Sequence, residues 1–432
     1  MASRIVKPGD GAYGRFVARL NRFPQGAPPT ERLFQILRLL VSEREAGLLA
    51  QVPIRPFTAR RAAALWKLPE AEARKILDGL ADRAMLLDLV RDGETRYALP
   101  PPMAGFFEFS LMRVRGDIDQ KALSELFHQY LNVEEDFLRA LVLQGETQMG
   151  RVFVDEAGIP RESLEVLDFE RASEVVRRAR VIGISDCYCR RKMTHLGRAC
   201  DAPMEICMTF GTAAGSLTRH GIARRVEAGE CLDLLEQARA RGLVQFGENV
   251  REDVGFICNC CGCCCEALVA ARRYAFLKPV HTSAYLPELA AESCAGCGKC
   301  VGACPVDALG LVSAHDPKRP AARTARLDED RCLGCGVCAR ACTRQAIRLR
   351  RRGRRLLTPA NTAHRAVMMA IERGTFAELL VDGQSGYGHR AVAALLGAVL
   401  RLPPLKQALA SEQVKSRFLG RMLRINADSS GP

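Results

Sequence analysis

The feature that most constrains the fold is a duplicated segment in which four cysteines recur at the same spacing. The stretch ESCAGCGKCVGACPVDALGLV (292–312) aligns with DRCLGCGVCARACTRQAIRLR (330–350), and each cysteine of the first recurs 38 residues later. The first train reads C-x2-C-x2-C-x3-C-P and comprises Cys294, Cys297, Cys300, Cys304 and Pro305. The second comprises Cys332, Cys335, Cys338 and Cys342, with Thr343 in place of the proline. Such a duplication predicts two similar halves built around two similar sites.

Thiolates are soft ligands that suit iron–sulfur clusters, and the repeat resembles bacterial two-cluster ferredoxins. In those proteins the fourth cysteine of each train ligates the other cluster. By that resemblance one 4Fe-4S cluster takes Cys294, Cys297, Cys300 and Cys342, and the other takes Cys332, Cys335, Cys338 and Cys304. Glycines at 296, 298, 334 and 336 suit a backbone that turns tightly around a cofactor. Zinc is the alternative, since C-x2-C pairs also hold zinc, but a duplicated train of four cysteines favours iron–sulfur clusters.

A second group of cysteines lies upstream and has no standard spacing. It comprises Cys187, Cys189, Cys200 and Cys207, then Cys258, Cys260, Cys261, Cys263, Cys264 and Cys265 within ICNCCGCCCE (257–266). Each part follows a predicted buried strand, at 180–185 and 254–258. We interpret the group as ligands of a possible additional iron–sulfur cluster; the alternative is structural thiols packed as small hydrophobic side chains. Cys231, alone in a helical pattern over 227–243, is predicted to be a core residue.

The wider sequence resembles a group of bacterial 4Fe-4S binding proteins. The resemblance is carried by DCYCRRK, GRACDAPMEICMTFG, GLVQFGENV and FICNCCGCCC, followed by the two ferredoxin trains. It implies a ferredoxin-type electron carrier. We expect such a carrier to work with a redox partner protein, for which a flavoprotein is one candidate. It implies no substrate.

The N-terminal part of the chain predicts three helices followed by a hairpin, as in a winged helix-turn-helix. Apolar residues recur at helical spacing in 31–51, Thr58 can cap a second helix, and Pro69 opens a third that ends near Leu86. Asp92-Gly93 then predicts a hairpin turn. In the third helix Arg74 and Lys75 face four acidic residues, so DNA binding is disfavoured.

These patterns predict a multi-domain α+β chain. Its parts are an N-terminal segment (1–30), a winged-helix-like domain (31–105), a helical connector (106–179), a cysteine-rich domain of mixed strands and helices (180–285), a two-cluster ferredoxin domain (286–355) and a helical C-terminal region (356–432). The N-terminal stretch has no secretory signal pattern, and 19 unpaired thiols suit a reducing cytoplasm. We therefore expect a cytoplasmic protein without a transmembrane segment.

The predicted function is the transfer of single electrons through two 4Fe-4S clusters, with a further cluster upstream, to or from a partner oxidoreductase. No nucleotide-binding loop and no catalytic constellation stands out, which favours an electron-transfer protein or oxidoreductase subunit over a stand-alone enzyme. The alternative is an iron–sulfur redox-sensing regulator that binds DNA through the winged-helix-like domain. The net charge of +14 suits an acidic protein partner. The apolar stretch 392–405, followed by basic residues, leaves peripheral membrane contact as a further alternative to packing.

Overall fold

The computed structural model describes residues 9, 11–142, 145–156, 170–275, 278–353, 358–376 and 379. Helices and strands alternate along this part of the chain, which confirms the α+β class in its coarse form. The helices are α1 (Ala12–Leu20), α2 (Glu31–Leu40), α3 (Glu43–Leu49), α4 (Ala59–Trp66), α5 (Glu70–Asp82), α6 (Phe107–Phe109), α7 (Gln120–His128), α8 (Glu135–Val142), α9 (Ala172–Arg178), α10 (Tyr188–His195), α11 (Gly211–Arg219), α12 (Ala228–Ala240), α13 (Glu266–Arg273), α14 (Lys299–Gly302), α15 (Val337–Ala341) and α16 (Thr362–Arg373).

The strands belong to four sheets, all with antiparallel pairing. They are β1 (Phe57–Thr58), β2 (Leu87–Arg91), β3 (Glu94–Ala98), β4 (Gly150–Val152), β5 (Ile182–Asp186), β6 (Glu205–Phe210), β7 (Arg224–Val226), β8 (Val244–Glu248), β9 (Phe256–Cys260), β10 (Tyr285–Leu289), β11 (Leu309–Ser313), β12 (Arg323–Leu327) and β13 (Ile347–Arg351).

The prediction of one helix over 31–51 is wrong, because the chain forms two helices there, α2 and α3. Val41 is extended, and Ser42 begins α3 with a capping box. The Glu45 amide donates to Ser42 Oγ at 3.3 Å, and the Ser42 amide donates to Glu45 Oε2 at 2.9 Å. This reciprocal pair satisfies two backbone donors of a new helix, so the chain changes direction at Ser42.

The next elements follow the sequence pattern closely. The Arg61 amide donates to Thr58 Oγ1 at 3.2 Å, so Thr58 caps α4 as predicted. Asp92 and Gly93 both have positive φ and form the turn between β2 and β3. In α5, Arg74 lies 3.5 Å from Glu70. One of the two cations proposed for DNA binding therefore already has an acidic neighbour.

The middle of the chain folds around a six-stranded sheet in the order β4-β8-β9-β6-β5-β7. Strand β4 comes from the segment predicted to be a helical connector and pairs with β8 at the edge of the sheet. The two predicted buried strands form β5 and β9, and the predicted helix over 227–243 forms α12. The sheet therefore brings β6, β5 and β9, each of which carries or precedes cysteines, side by side.

The cysteine repeat forms two small sheets that link its halves. Strand β10, before the first train, pairs with β13, after the second, while β11 pairs with β12 between them. Each half thus supplies one strand to each sheet. The short helices α14 and α15 pack together, and Cys300 and Cys338 share an apolar cluster with Leu309.

Within the described ranges, no helix has the length and apolar character needed to span a bilayer. In the predicted helical C-terminal region (356–432), the described residues form helix α16. Residues 380–432 of that region, including the apolar stretch 392–405, lie outside the described residues.

Candidate metal centres

In the repeat, glycines allow the two cysteine loops to turn as predicted. Gly298 and Gly336 stand at the N-caps of α14 and α15 with φ of 75° and 86°. Gly296 and Gly334 also have positive φ, and a Cβ at either would lie 2.2 Å from a backbone oxygen. Only glycine fits such positions without strain, so each loop can fold back on its own sulfurs.

The eight cysteines of the repeat gather in two sets of four, each beside its own small cavity. The first cavity is lined by Cys294, Cys297, Cys300 and Cys342. The second is lined by Cys304, Cys332, Cys335 and Cys338. Each set combines three cysteines of one train with the fourth cysteine of the other. We call the first set the outer quartet and the second the inner quartet.

The two quartets differ in their exposure to solvent. In the outer quartet Cys297 is exposed and only Cys300 is buried; in the inner quartet Cys332 and Cys338 are buried and none is exposed. Burial raises the pKa of Cys335 to about 12. Burial acts to raise the pKa of Cys294 as well, but hydrogen bonds from the Ala325 and Gly296 amides act more strongly in the opposite direction. The net result is a Cys294 pKa below its ordinary value.

The fourth cysteine of each train receives an equivalent backbone hydrogen bond. The Ala308 amide donates to Cys304 Sγ at 3.2 Å, and the Ala346 amide donates to Cys342 Sγ at 3.3 Å. The two donors are 38 residues apart, like the cysteines that they contact. Donation to sulfur stabilises negative charge there and is one of the factors that set a cluster's potential.

The inner quartet is held against the six-stranded sheet by an ion pair. Arg340 in α15 contacts both carboxylate oxygens of Asp155, at 2.8 and 3.2 Å, and also contacts Glu236 at 3.1 Å. The Asp155 amide donates to Cys335 O at 2.9 Å. Because Asp155 is buried, this bidentate pair fixes the inner loop to the segment that follows β4.

Six of the upstream cysteines form a closed ring of thiols. Each is in side-chain hydrogen-bond contact with the next, and Cys207 Sγ lies 3.9 Å from Cys258 Sγ. Around the ring the order is Cys187, Cys189, Cys265, Cys260, Cys258 and Cys207. Four are buried and two half-buried. We call this set the thiol ring.

Strand geometry and helix starts explain how the ring assembles. Side chains two apart on a strand share a face, so Cys258 and Cys260 of β9 point the same way. Strand β6 pairs with β9 and brings Cys207 next to Cys258. Cys187 and Cys265 are the N-caps of α10 and α13. Two helix N-termini, which favour negative charge, thus meet at the ring.

The pKa values of the ring thiols alternate in direction. Hydrogen bonds from neighbouring thiols lower the pKa of Cys187, Cys258 and Cys265, that of Cys258 to about 6. The same bonds raise the pKa of the other three thiols, Cys189, Cys207 and Cys260. Hydrogen bonds between these thiols therefore stabilise thiolate, the form that binds metal, at part of the ring.

The remaining four upstream cysteines form a separate group, which we call the tetrad. It comprises Cys200, Cys261, Cys263 and Cys264, whose sulfurs all lie within 4.8 Å of one another. The sequence prediction treated all ten upstream cysteines as one candidate set. The structure instead divides them six and four.

Buried cations accompany both groups. Arg190 is fully buried and donates to Pro203 O at 2.7 Å and to Asn259 O at 2.8 Å. Its guanidinium also contacts Cys200 and lies near Cys187 and Cys261. Lys192 is buried beside Glu266, on the first turn of α13. A buried positive charge beside thiolates offsets the cost of removing them from water.

A cavity of about 1290 Å³ borders the thiol ring. All six cysteines of the thiol ring line this cavity, together with Glu108. Burial raises the Glu108 pKa to about 7, although the Gly105 and Ala104 amides donate to its carboxylate. Sequence reasoning missed Glu108. No spacing marks a lone carboxylate that becomes buried only through tertiary packing.

Cys231 lies apart from these groups, in α12. It is buried in an apolar cluster with Leu235 and Ile257, and burial raises its pKa to about 12. The prediction that it is a core residue is confirmed.

Residues 293–346 match the family model of the 4Fe-4S dicluster domain. No curated protein and no solved structure matches the chain. The repeat is therefore an iron–sulfur domain of ferredoxin type, and a region rich in cysteines precedes it.

Proposed function

We propose that the protein transfers single electrons through two 4Fe-4S clusters, and that an additional iron–sulfur cluster lies on the thiol ring. The observation that carries the proposal is the crossed composition of the two quartets. The family match supports two clusters in the repeat, and each cavity offers four sulfurs, as a cubane cluster requires. Their ligands are then the outer quartet (Cys294, Cys297, Cys300, Cys342) and the inner quartet (Cys332, Cys335, Cys338, Cys304).

The thiol ring supports the additional cluster because six converging thiols exceed what packing needs. If the space needed only to be filled, small apolar side chains would fill it without any nearby charge or hydrogen-bond donor. Here the thiols hydrogen-bond to one another, Cys187 and Cys265 cap two helix N-termini, and the charge of Arg190 lies near Cys187. An iron–sulfur cluster on the ring would take its iron ligands from among these six sulfurs.

The order of the sites along the molecule supports a relay. The outer quartet has an exposed sulfur, at Cys297, where a partner can approach. The inner quartet's Cys332 shares an apolar cluster with Cys260 and Cys265 of the ring. Electrons would then pass between a docked partner and the ring by way of the two quartets.

The partner is proposed to be a redox protein with an acidic docking surface, for which a flavoprotein is one class. Lys299 and Arg344 beside the outer quartet are both exposed. Complementary charge steers such encounters and raises association rates. The direction of electron flow follows from the partner's potential.

Iron counting under anaerobic conditions tests the cluster content. Two cubane clusters alone give about eight iron atoms per chain, and an additional cluster on the ring raises the count above eight. The triple variant Cys207→Ser/Cys258→Ser/Cys260→Ser leaves only Cys187, Cys189 and Cys265 in the ring. Because three thiols are fewer than the four sulfur ligands of a cluster, this variant should return the count to about eight and remove one set of EPR signals. Cys231→Ser is the matched control, because that thiol contacts none of the three sites. An iron content near eight in the parent protein, unchanged in the triple variant, would exclude a cluster on the ring.

A further inference from the structure

The four tetrad sulfurs are closer together than ligands of a cubane cluster can be. Cys200 Sγ lies 3.6 Å from Cys261 Sγ and 3.7 Å from Cys264 Sγ, and Cys263 Sγ lies 3.7 Å from Cys264 Sγ. The whole group fits within 4.8 Å. In a cubane each thiolate binds a different iron, so the width of the cluster itself adds to the separation of the sulfurs.

The same distances suit four thiolates around one metal ion. A zinc–sulfur bond of about 2.3 Å in tetrahedral geometry places neighbouring sulfurs about 3.8 Å apart. The three sulfur–sulfur separations, 3.6, 3.7 and 3.7 Å, lie close to that edge length. They are far longer than the S–S bond of about 2 Å in a disulfide, and all four cysteines are free thiols.

Two loops build the tetrad. Cys200 lies between α10 and β6, whereas the other three members lie in the turn that joins β9 to α13. Gly262 in this turn packs against Pro305, and a Cβ there would lie 2.8 Å from the Pro305 backbone oxygen. The close approach requires glycine at 262, and the turn can therefore present Cys261 and Cys263 on either side of it.

The charge around the tetrad also suits a divalent ion. Four thiolates and one divalent cation leave a net charge of −2, which is costly to bury. The Arg190 guanidinium contacts Cys200 and is fully buried. Cys263 is exposed to solvent, so part of the remaining charge stays hydrated.

We propose that Cys200, Cys261, Cys263 and Cys264 bind one zinc ion as a closed structural site. All four positions are supplied by protein sulfur, which is the arrangement of structural rather than catalytic zinc. At such a site zinc binds more tightly than ferrous iron in the general order of divalent metals. The ion joins the loop of Cys200 to the turn 261–264 and so fixes the neighbouring ring residues Cys260 and Cys265. This assignment is independent of whether the ring holds a cluster.

Metal analysis of the full chain tests the proposal. The anaerobically purified protein should contain about one zinc ion per chain. X-ray absorption at the zinc edge should show sulfur neighbours only, at about 2.3 Å. This measurement on the parent protein does not depend on how any variant folds.

A pair of double variants then separates the two groups of cysteines. Cys200→Ser/Cys263→Ser should lose the zinc and keep the iron of the quartets, whereas Cys207→Ser/Cys258→Ser should keep the zinc. If the tetrad variant folds poorly, replacement of zinc by cobalt in the parent protein gives the intense visible absorption of a tetrathiolate site. A parent protein without zinc after growth in zinc-supplemented medium would overturn the proposal. So would zinc bound to nitrogen or oxygen, or iron in place of zinc at the tetrad.

Discussion

The two halves of the repeat share their cysteine spacing, turn glycines and backbone hydrogen bonds, yet their surroundings differ. The loop of the outer quartet is largely open to solvent, while the loop of the inner quartet is covered by the cysteine-rich region. Where α15 has Arg340, bound to Asp155, the first half has Gly302. The comparison shows that the duplicated motif determines how the cysteines are arranged, whereas the surrounding fold determines how far each quartet is exposed to solvent.

Access to iron should differ most between the two quartets. When the protein is treated anaerobically with an iron chelator, we expect the outer cluster to be lost about tenfold faster than the inner one, because attack on the buried site requires local opening. EPR during the treatment follows each cluster, and the variants Cys297→Ser and Cys335→Ser identify the signals. Equal rates of loss would contradict the contrast in burial.

The Asp155–Arg340 pair should be the strongest single tie between the inner loop and the rest of the fold. Asp155→Asn leaves the half-buried Arg340 charge without its main partner, so we expect a loss of stability of about 2 kcal/mol. The midpoint of thermal unfolding, at a fixed heating rate, measures the change.

Glu329→Gln provides the matched control. Glu329 lies 2.9 Å from Arg350, and both side chains are largely exposed. Exposed pairs contribute about 0–1 kcal/mol, so the control should change the midpoint little. An equal effect of both substitutions would mean that the Asp155 contact does not anchor the loop.

The equivalent glycines at 298 and 336 give a finer comparison. Alanine at either position costs about 1 kcal/mol because of the positive φ. At 336 the new Cβ would also lie 3.0 Å from both Asp155 Cβ and Leu349 Cδ1, whereas at 298 the nearest atom is Leu311 Cδ1 at 3.4 Å. Gly336→Ala should therefore destabilise the protein by about 1 kcal/mol more than Gly298→Ala. Thermal unfolding of both variants measures this difference, and its reversal would contradict the proposed crowding.

The smallest expected difference concerns the pH dependence of rebuilding the clusters. Burial holds the pKa of Cys335 near 12, so this thiol must release a proton when iron binds. The pKa of Cys294 lies below its ordinary value, so less proton release accompanies binding there. Raising the pH from about 7 to about 8 should increase the recovery of the inner cluster more than that of the outer one. Anaerobic reconstitution with iron and sulfide, followed by EPR, measures both, and an outer cluster with the steeper pH dependence would contradict this reasoning.

Local signals in the sequence predicted much of the fold. Thr58, the Asp92-Gly93 turn and the strand over 180–185 depend on residues near in sequence, and the structure has all three. The break at Ser42 was missed although its signal was present, because Ser42 and Glu45 have the spacing of a capping box. Apolar residues recur at helical spacing throughout 31–51, and this longer pattern favoured one continuous helix over a break at the capping box.

The site was predictable only in part. The alternation of β9 places Cys258 and Cys260 on one face, which sequence can indicate. The division of the ten upstream cysteines could not be read in the same way, because Cys200 meets the turn 261–264 only through tertiary folding. The covering of the inner quartet also depends on distant residues, Asp155 and Ser283, that no local pattern connects to the repeat.

The turn after β9 has a consequence for how the protein matures. Along the chain, thiol-ring members Cys258 and Cys260 are followed by the three tetrad members of 261–264 and then by Cys265 of the ring. With zinc at the tetrad and a cluster at the thiol ring, residues 258–265 would receive zinc and iron from separate delivery pathways. An ion delivered to the wrong sulfur would occupy a ligand that the other site needs. The order of metal delivery during biosynthesis would then determine whether a newly made chain becomes active.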